Sequence, residues 1–170
     1  MKYNAAKLYV DTVLAELGPY CQRIEPAGSF RRRKPEVGDL DVVAIPQFTT
    51  NLFGEISGQS KLNSYDYSRL GRVMKGGTRY KRIELEDGFC LDLFIVTPPA
   101  QWGVVFLIRT GPAGYSRRFV TRRKYGGMLP SNLKVRDGAI WHGIELVPTP
   151  EEKDVYSILG LPFVAPWERS

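Results

Sequence analysis

Three aspartates in or beside strongly apolar segments restrict the folds open to this chain more than any other feature. Asp39 and Asp41 open an apolar segment, residues 39–45, whose composition predicts a β-strand. Because side chains alternate along a strand, the two carboxylates lie on the same face. Asp92 lies within a second predicted strand, residues 89–96, which is otherwise apolar. A carboxylate is costly there without a partner, so the fold has to supply one.

Two kinds of partner fit these carboxylates. Converging carboxylates repel each other, and divalent cations relieve the repulsion, so three of them describe a site for a hard ion such as Mg²⁺. The alternatives are a buried salt bridge from Asp92 to one of the arginines, and a solvated strand end for Asp39 and Asp41. With two cysteines and one histidine, His142, the composition excludes a zinc site built from Cys and His side chains.

A glycine-serine turn upstream of the aspartates predicts a site for a polyphosphate. Gly28 and Ser29 follow a short predicted strand, and such a turn before a helix offers unpaired backbone N–H groups and a hydroxyl. Arg32 can add a bidentate, charged contact. Alternatively, the basic run of residues 31–34 is a solvated surface segment. The spacing favours the phosphate site, because Gly38 and the Asp-x-Asp pair follow ten residues after the turn.

The second half of the chain is strongly basic. Between Phe106 and Arg136 there are eight Arg or Lys residues and no Asp or Glu, and the whole chain has a net charge of +6. This distribution favours an anionic partner, nucleic acid first, over a merely solubilising excess of charge. Pro98-Pro99 marks the change of character, so we predict an α/β lobe over residues 1–101 and a smaller basic lobe over 102–170.

Other patterns predict the elements around these segments. Apolar spacing predicts a helix over residues 2–17, and Glu86-Asp87-Gly88 predicts a turn between two hairpin strands. Residues 47–68 are assigned to loop and helix. Thr149-Pro150-Glu151-Glu152 is typical of a capping box with proline at the first helical position, so a helix is predicted from there to just before Gly160.

The chain is expected to be a soluble, intracellular protein that does not contact membranes. Its longest apolar run, residues 102–108, is far shorter than the roughly 20 residues of a membrane-spanning helix. The first residues lack the apolar region of a secretory signal. Hydrophobic residues make up 43% and charged residues 25%, which is typical of a globular domain and argues against disorder.

Several motifs together resemble the family X DNA polymerases. Gly28-Ser29-Phe30-Arg31-Arg32 followed by Gly38-Asp39-Leu40-Asp41-Val42-Val43 resembles their nucleotidyltransferase signature, and Leu91-Asp92-Leu93-Phe94 resembles the segment with their third carboxylate. The segment that leads to their nucleotide-binding helix is similar to Trp102-Gly103 and Thr110-Gly111 here. The end of their thumb is similar to the last twenty residues of this chain. The resemblance covers about residues 25–170. It implies an α+β fold: a nucleotidyltransferase palm, with a mixed β-sheet and helices, over 1–101, and a small α/β thumb over 102–170. No lyase or fingers domain is expected, as in the small viral members.

The resemblance also implies roles for individual residues. Asp39 and Asp41 would hold both of two Mg²⁺ ions, with Mn²⁺ as the alternative, and Asp92 would hold the catalytic ion and help to deprotonate the primer 3′-hydroxyl. Nucleotide contacts are implied for Gly28, Ser29, Arg32, Gly38, Thr110, Gly111, Tyr115 and Ser116. A helix over residues 115–124 is expected to face base and template. Its helically spaced basic side chains would contact DNA: Arg117, Arg118, Arg122, Arg123 and Lys124.

Three functions are consistent with these features. The first is a template-directed DNA polymerase that adds dNMP to a primer 3′-hydroxyl, releases pyrophosphate and fills short gaps in DNA repair by two-metal-ion catalysis. The second is a template-independent or small-molecule nucleotidyltransferase, which would not need the long basic segment. The third is a non-catalytic nucleic-acid-binding domain, against which the three carboxylates argue. For the first, the expected partners are gapped or primer-template DNA, dNTP and a DNA ligase, and the chain is expected to be a monomer. Ile108-Arg109 stands where most members of the family carry an aromatic pair that screens the ribose.

Overall fold

The computed structural model describes residues 1–50 and 56–169, apart from the side chains of residues 50, 56 and 57. Within these residues the α-helices are α1 (Tyr3–Leu17), α2 (Gly28–Arg31), α3 (Trp102–Thr110), α4 (Ala113–Val120) and α5 (Glu152–Leu159). The strands are β1 (Cys21–Pro26), β2 (Leu40–Pro46), β3 (Phe48–Thr50), β4 (Ile56–Ser60), β5 (Arg72–Gly76), β6 (Tyr80–Glu84), β7 (Cys90–Ile95), β8 (Leu133–Arg136), β9 (Ala139–His142) and β10 (Glu145–Val147).

A mixed five-stranded sheet organises the first half of the chain. Its strand order is β1-β2-β7-β6-β5, with β2 and β7 parallel and the other neighbours antiparallel. The hairpin of β6 and β7 turns at residues 86–88, as predicted. In the parallel pair, Asp41 is the register partner of Asp92. The sheet therefore brings together two carboxylates that are 51 residues apart in the sequence.

Helix α1 covers one face of this sheet. Its buried side chains recur every three or four residues, as in an amphipathic helix: Ala6, Val10, Val13 and Leu17. They share a hydrophobic cluster with Leu40, Val42 and Ala44 of β2. The side chain of Leu8 is 69% exposed and takes no part in this core, although it contributes to the apolar pattern of the segment.

The second half of the chain has its own hydrophobic cluster. Helices α3, α4 and α5 pack with the three-stranded sheet β10-β9-β8, around side chains such as Leu107, Phe119, Ile140 and Tyr156. Helix α3 also turns Trp102 and Phe106 towards Val43 of β2, so it contributes to both halves. This mixed sheet with helices confirms the predicted α+β fold class. The division at residue 101 stays a prediction, because α3 packs on both sides of it.

The helix expected over residues 115–124 is shorter than predicted. Helix α4 begins at Ala113 and ends at Val120, because Thr121 adopts an extended conformation. The backbone N–H and the hydroxyl of Thr121 both donate to the carbonyl oxygen of Arg117, at 3.0 and 2.7 Å. The basic residues 122–124 therefore lie beyond the helix and do not share its surface.

The start predicted for α5 is wrong by two residues. Glu151, not Thr149, is the N-cap, and its capping box is closed by Asp154. Thr149 is fully buried, and its hydroxyl has no hydrogen-bond partner within the described residues. The predicted end is confirmed, since Gly160 caps the helix in the left-handed conformation.

The middle of the first half differs from its assignment to loop and helix. The antiparallel ribbon of β3 and β4 occupies much of residues 47–60, and short 3₁₀ turns follow at residues 61–64 and 67–69. Residues 51–55 of that assignment lie outside the described residues. Among the described helices, none combines the length and the apolar character needed to cross a membrane.

Candidate active site

An open cavity of about 560 Å³ lies between the two halves of the chain. From the first half it is lined by Gly28, Ser29, Arg32, Asp39 and Asp41. From α3, α4 and the turn between them it is lined by Ile108, Arg109, Gly111, Pro112, Ala113, Ser116, Arg117 and Val120. Residues singled out in the glycine-serine turn, the Asp-x-Asp pair and the basic segment therefore face one volume.

Asp41 is the electrostatic centre of the carboxylate group. Burial, and after it the charges of Asp39 and Asp92, raise the pKa of Asp41 to about 7, against the opposing charges of Arg109 and Arg32. The ionised form of Asp41 is thus disfavoured in the protein alone. A cation beside these carboxylates would favour the ionised form, so the electrostatics suit a positively charged ligand.

Asp92 is held by two neighbours on its own sheet. The Tyr80 hydroxyl donates to Asp92 Oδ1 at 2.7 Å, and Arg82 Nη1 donates to Asp92 Oδ2, also at 2.7 Å. The same Arg82 nitrogen lies 3.9 Å from Asp39 Oδ2. The salt bridge considered for Asp92 on the sequence is therefore present, and it satisfies the carboxylate in the apolar strand.

The donor set of the site suits a hard cation, but it is not a compact metal cluster. Within the described residues, no group of three or more His, Cys, Asp or Glu side chains is arranged to hold a metal ion. Carboxylate oxygens are nevertheless the ligands that Mg²⁺ and Mn²⁺ prefer, and Asp41 and Asp92 are adjacent. The residues fit such an ion once Asp92 Oδ2 is released from Arg82.

Gly28 brings the backbone of α2 against Asp41. Its φ of +56° lies in the left-handed region, and a Cβ at this position would come within 1.9 Å of Asp41 Oδ2. The neighbouring backbone N–H of Ala27 donates to the carbonyl oxygen of Asp41 at 2.8 Å. Only glycine allows this approach, which places the turn and the carboxylate side by side.

Three of the predicted nucleotide contacts do not line the cavity. Gly38 is exposed beside it. Thr110 is fully buried, and its hydroxyl accepts a hydrogen bond from Arg31 Nη1 at 2.7 Å while its carbonyl accepts one from Arg32 Nη1 at 2.6 Å. The Tyr115 hydroxyl is hydrogen-bonded to that of another core tyrosine at 2.7 Å. Thr110 and Tyr115 therefore support the wall from behind.

Arg32 lines the cavity, but one of its guanidinium nitrogens is already hydrogen-bonded within the protein. Besides its bond to the Thr110 carbonyl, its Nε is buried with no partner in the described part of the chain. Burial lowers the pKa of Arg32, although Asp41 opposes the shift. Its unsatisfied donor is consistent with an anionic ligand at this wall.

The basic residues proposed to contact DNA fall into two groups. Arg117 lines the cavity, and Arg118 and Lys124 are exposed. Arg122 Nε donates to the Leu133 carbonyl at 2.9 Å, and Arg123 Nη2 donates to the Leu159 carbonyl at 3.1 Å. The last two side chains thus hold the second half of the chain together, a role that a count of charges does not reveal.

Comparison with known proteins finds similarity to DNA polymerases. A family model described as the DNA polymerase beta thumb matches residues 107–170. The DNA polymerase lambda of Rattus norvegicus is 29% identical to this chain over an alignment 167 residues long, which includes 84% of this chain and 28% of the relative. Both matches are to DNA polymerases, in agreement with the resemblance to family X that the sequence motifs carry. The chain spans less than a third of the length of that relative.

Arg109 is a cavity residue to which the motifs assigned no role. Its guanidinium stacks over the ring of Phe94 at 3.9 Å from the ring centre. Burial lowers the pKa of Arg109, and the charge of Asp41 is the largest opposing influence. The sequence did indicate this residue, since Ile108-Arg109 stands where an aromatic pair was expected. In the structure, the replacement brings the Arg109 guanidinium near the carboxylates.

A second group missed by sequence reasoning joins the two halves of the chain. Glu152 of α5 accepts from Arg31 Nη2 at 2.9 Å and from Arg169 Nη1 at 2.5 Å. Glu152 is 4% exposed and Arg169 is 1% exposed. Because Arg31 also holds Thr110, this ion-pair group fixes the turn between α3 and α4 relative to α2.

Proposed function

We propose that this chain carries the site of a template-directed DNA polymerase that adds dNMP to a primer 3′-hydroxyl and releases pyrophosphate. The observation that supports this most is the shared cavity, in which Asp39 and Asp41 face the same volume as Ser29 and the basic start of α4 at Arg117. Carboxylates for cations and cationic side chains for phosphates are the two requirements of phosphoryl transfer.

Asp39, Asp41 and Asp92 would hold two Mg²⁺ ions, or Mn²⁺ in their place. When bound, such ions activate the attacking oxygen and stabilise charge on the leaving pyrophosphate. Asp92 Oδ2, once free of Arg82, is the carboxylate oxygen assigned to accept the proton of the primer hydroxyl. Asp41 would be fully ionised at neutral pH only in the loaded site, because its pKa is about 7 without ligand.

The remaining cavity residues would bind and orient the nucleotide. The Ser29 hydroxyl and the Arg32 guanidinium, which both line the cavity, would bind its phosphates. The Gly28 backbone lies against Asp41. Gly111 and Ser116 line the volume assigned to the sugar and base. Gly38 does not line the cavity. Its backbone is still proposed to contact a phosphate of the nucleotide.

The exposed basic residues would bind the DNA backbone. Arg117, Arg118 and Lys124 are free to contact phosphates, whereas Arg122 and Arg123 donate to carbonyl groups within the protein. The proposed substrate is primer-template or gapped DNA, and filling a short gap leaves a nick that a DNA ligase would seal.

One observation favours a second candidate, a non-catalytic nucleic-acid-binding domain. Both oxygens of Asp92 are already hydrogen-bonded, to Tyr80 and Arg82. A domain that only binds DNA would keep this arrangement permanently. The polymerase requires that the Arg82 bond be broken, so an activity measurement separates the two functions.

Primer extension on a duplex with a one-nucleotide gap tests the proposal. The reaction contains Mg²⁺ and each dNTP singly, with the wild type, Asp41→Asn and the control Asp11→Asn. Asp11 pairs with Lys7 on the surface of α1 and is far from the cavity in the fold. Addition of the templated nucleotide by the wild type and the control, but not by Asp41→Asn, is the expected result.

Other outcomes point to the other functions. Addition regardless of template would indicate a template-independent nucleotidyltransferase. Salt-sensitive DNA binding without any addition by the wild type would reject catalysis and leave the binding domain.

A further inference from the structure

We propose that Arg82 is a positioning residue of this site, which holds Asp92 in the cation-free protein and competes with a divalent cation for Asp92 Oδ2. The inference rests on the proposed function, since it concerns the same carboxylates. It adds a residue that belongs to none of the motifs described above. It also explains why the described carboxylates do not form a compact metal cluster.

The strand register places Arg82 opposite Asp92. Arg82 of β6 and Asp92 of β7 are direct partners in the antiparallel ladder, so their side chains leave the same face of the sheet. The contact between Arg82 Nη1 and Asp92 Oδ2 is 2.7 Å long. The Asp92 side chain is 10% exposed and that of Arg82 is 34% exposed, so the arginine reaches the carboxylate from the open side.

Tyr80 holds the other oxygen without opposing a cation. Its hydroxyl donates to Asp92 Oδ1 at 2.7 Å, and its ring stacks on Phe94 with the ring centres 5.2 Å apart. A neutral hydroxyl can stay on a carboxylate that binds a cation, because each oxygen has two lone pairs. The Tyr80 contact is therefore compatible with an ion, and the Arg82 contact is the obstacle.

Like charges exclude each other at Asp92 Oδ2. The guanidinium and a divalent cation on the same oxygen would repel strongly in this partly buried place. The same Arg82 nitrogen also lies 3.9 Å from Asp39 Oδ2, so it opposes a cation at two of the three carboxylates. A cation that binds there has to displace Arg82, and part of its binding free energy is used to break the salt bridge.

Binding of Mn²⁺ to the free protein measures this competition directly. The free-ion signal in electron paramagnetic resonance gives the affinity of the full chain without DNA or nucleotide. Arg82→Gln is expected to bind Mn²⁺ at least about fivefold more tightly than the wild type, because the competing charge is gone. Arg82→Lys keeps the charge and is expected to stay within about twofold of the wild type.

Two further variants show whether the effect runs through Asp92. Arg72→Gln is the matched control, since Arg72 of β5 pairs with Glu84 of β6 at 2.6 Å in the same sheet, and it should not change Mn²⁺ binding. In the Asp92→Asn background, Arg82→Gln should give a clearly smaller gain, because the 2.7 Å contact is already lost and only the approach to Asp39 remains. A gain as large as in the wild-type background would indicate a general change of field and would overturn the role of Asp92.

Folding is checked by circular dichroism before each titration. If Arg82→Gln does not fold, Tyr80→Phe gives the second test. This variant removes the hydrogen bond to Asp92 Oδ1 but keeps the competing arginine on Oδ2. The Mn²⁺ affinity should therefore change less than twofold. Unchanged or weaker Mn²⁺ binding by a folded Arg82→Gln refutes the competition, and so does a gain of fivefold or more in Tyr80→Phe.

Failure of this inference is distinguishable from failure of the proposed function. If the wild type extends primers and Arg82→Gln binds Mn²⁺ no more tightly, only the role of Arg82 is rejected. If neither protein binds Mn²⁺ and the wild type extends no primer, the catalytic function itself is rejected.

Discussion

Replacing Gly28 by alanine should destabilise the protein and displace the central carboxylate. A residue with a side chain in the left-handed region costs about 1–2 kcal/mol, and Gly28 has a φ of +56°. The new Cβ would lie 1.9 Å from Asp41 Oδ2 and 2.8 Å from its Cγ, so the carboxylate has to leave its rotamer at a cost of about 0.5–1.5 kcal/mol. We expect a loss of about 2–3 kcal/mol in the free energy of unfolding, or roughly 4–12 °C in Tm for a chain of this size.

Two other glycines separate the causes in the same urea and thermal unfolding experiments. Gly143 has a φ of +62° but nothing within 4 Å of an added Cβ, so Gly143→Ala isolates the backbone cost of about 1–2 kcal/mol. Gly18 has an ordinary helical conformation and open space, so Gly18→Ala should be neutral or slightly stabilising. Primer extension should fall at least about tenfold in Gly28→Ala alone, since about 1.4 kcal/mol of barrier corresponds to that factor. Equal unfolding losses for Gly28→Ala and Gly143→Ala, with full activity in both, would refute the contact with Asp41.

Three further variants test other parts of the structure. In the wild type, stability should fall as the pH rises from about 4 to about 7, because folded Asp41 keeps its proton up to a pKa of about 7 while the unfolded chain releases it near 3.8. Asp41→Asn should remove this fall, which amounts to at most about 4 kcal/mol by urea unfolding at low and neutral pH. Glu152→Gln should cost about 3–5 kcal/mol in the same assay, because it leaves Arg169 buried without its counter-charge; a loss below about 1 kcal/mol would contradict this. Arg117→Ala should reduce the slope of log affinity for DNA against log salt by about one, as fluorescence anisotropy would show, whereas an unchanged slope would place Arg117 away from the phosphates.

Local patterns predicted the parts of the fold that local chemistry decides. The alternation along β2 and the hairpin turn at residues 86–88 depend on neighbours in the sequence, and both are present. The apolar face of α1 also follows from residue spacing, because a helix that covers a sheet needs one buried stripe. The position of Asp41 beside Asp92 depends in addition on the parallel pairing of β2 with β7, a long-range contact that local patterns do not predict.

Hydrogen bonding and burial, rather than residue spacing, decided the elements that were predicted wrongly. The end of α4 depends on Thr121, which returns its donors to the Arg117 carbonyl. The start of α5 depends on the burial of Thr149, which removes its hydroxyl from the capping position. Neither boundary can be recognised from the sequence pattern. The run of basic residues would be the same if α4 continued, and the Thr-Pro-Glu-Glu motif would be the same if α5 began earlier.

The balance of charge in the site explains why the sequence alone left catalysis and mere binding unresolved. Asp39, Asp41 and Asp92 make the segment resemble a cation site, but which cations of the protein face them depends on sheet register and helix packing. Arg82 arrives on β6 as the partner of Asp92, and Arg109 arrives on α3 within the field of Asp41. The arginines compensate this carboxylate group only in part, since the pKa of Asp41 is still raised to about 7. The presence of the three carboxylates in a folded protein does not by itself require a bound ion. A catalytic site differs from a mere binding domain in whether a cation can displace Arg82 from Asp92. That depends on whether the carboxylate binds the cation more strongly than it binds the guanidinium.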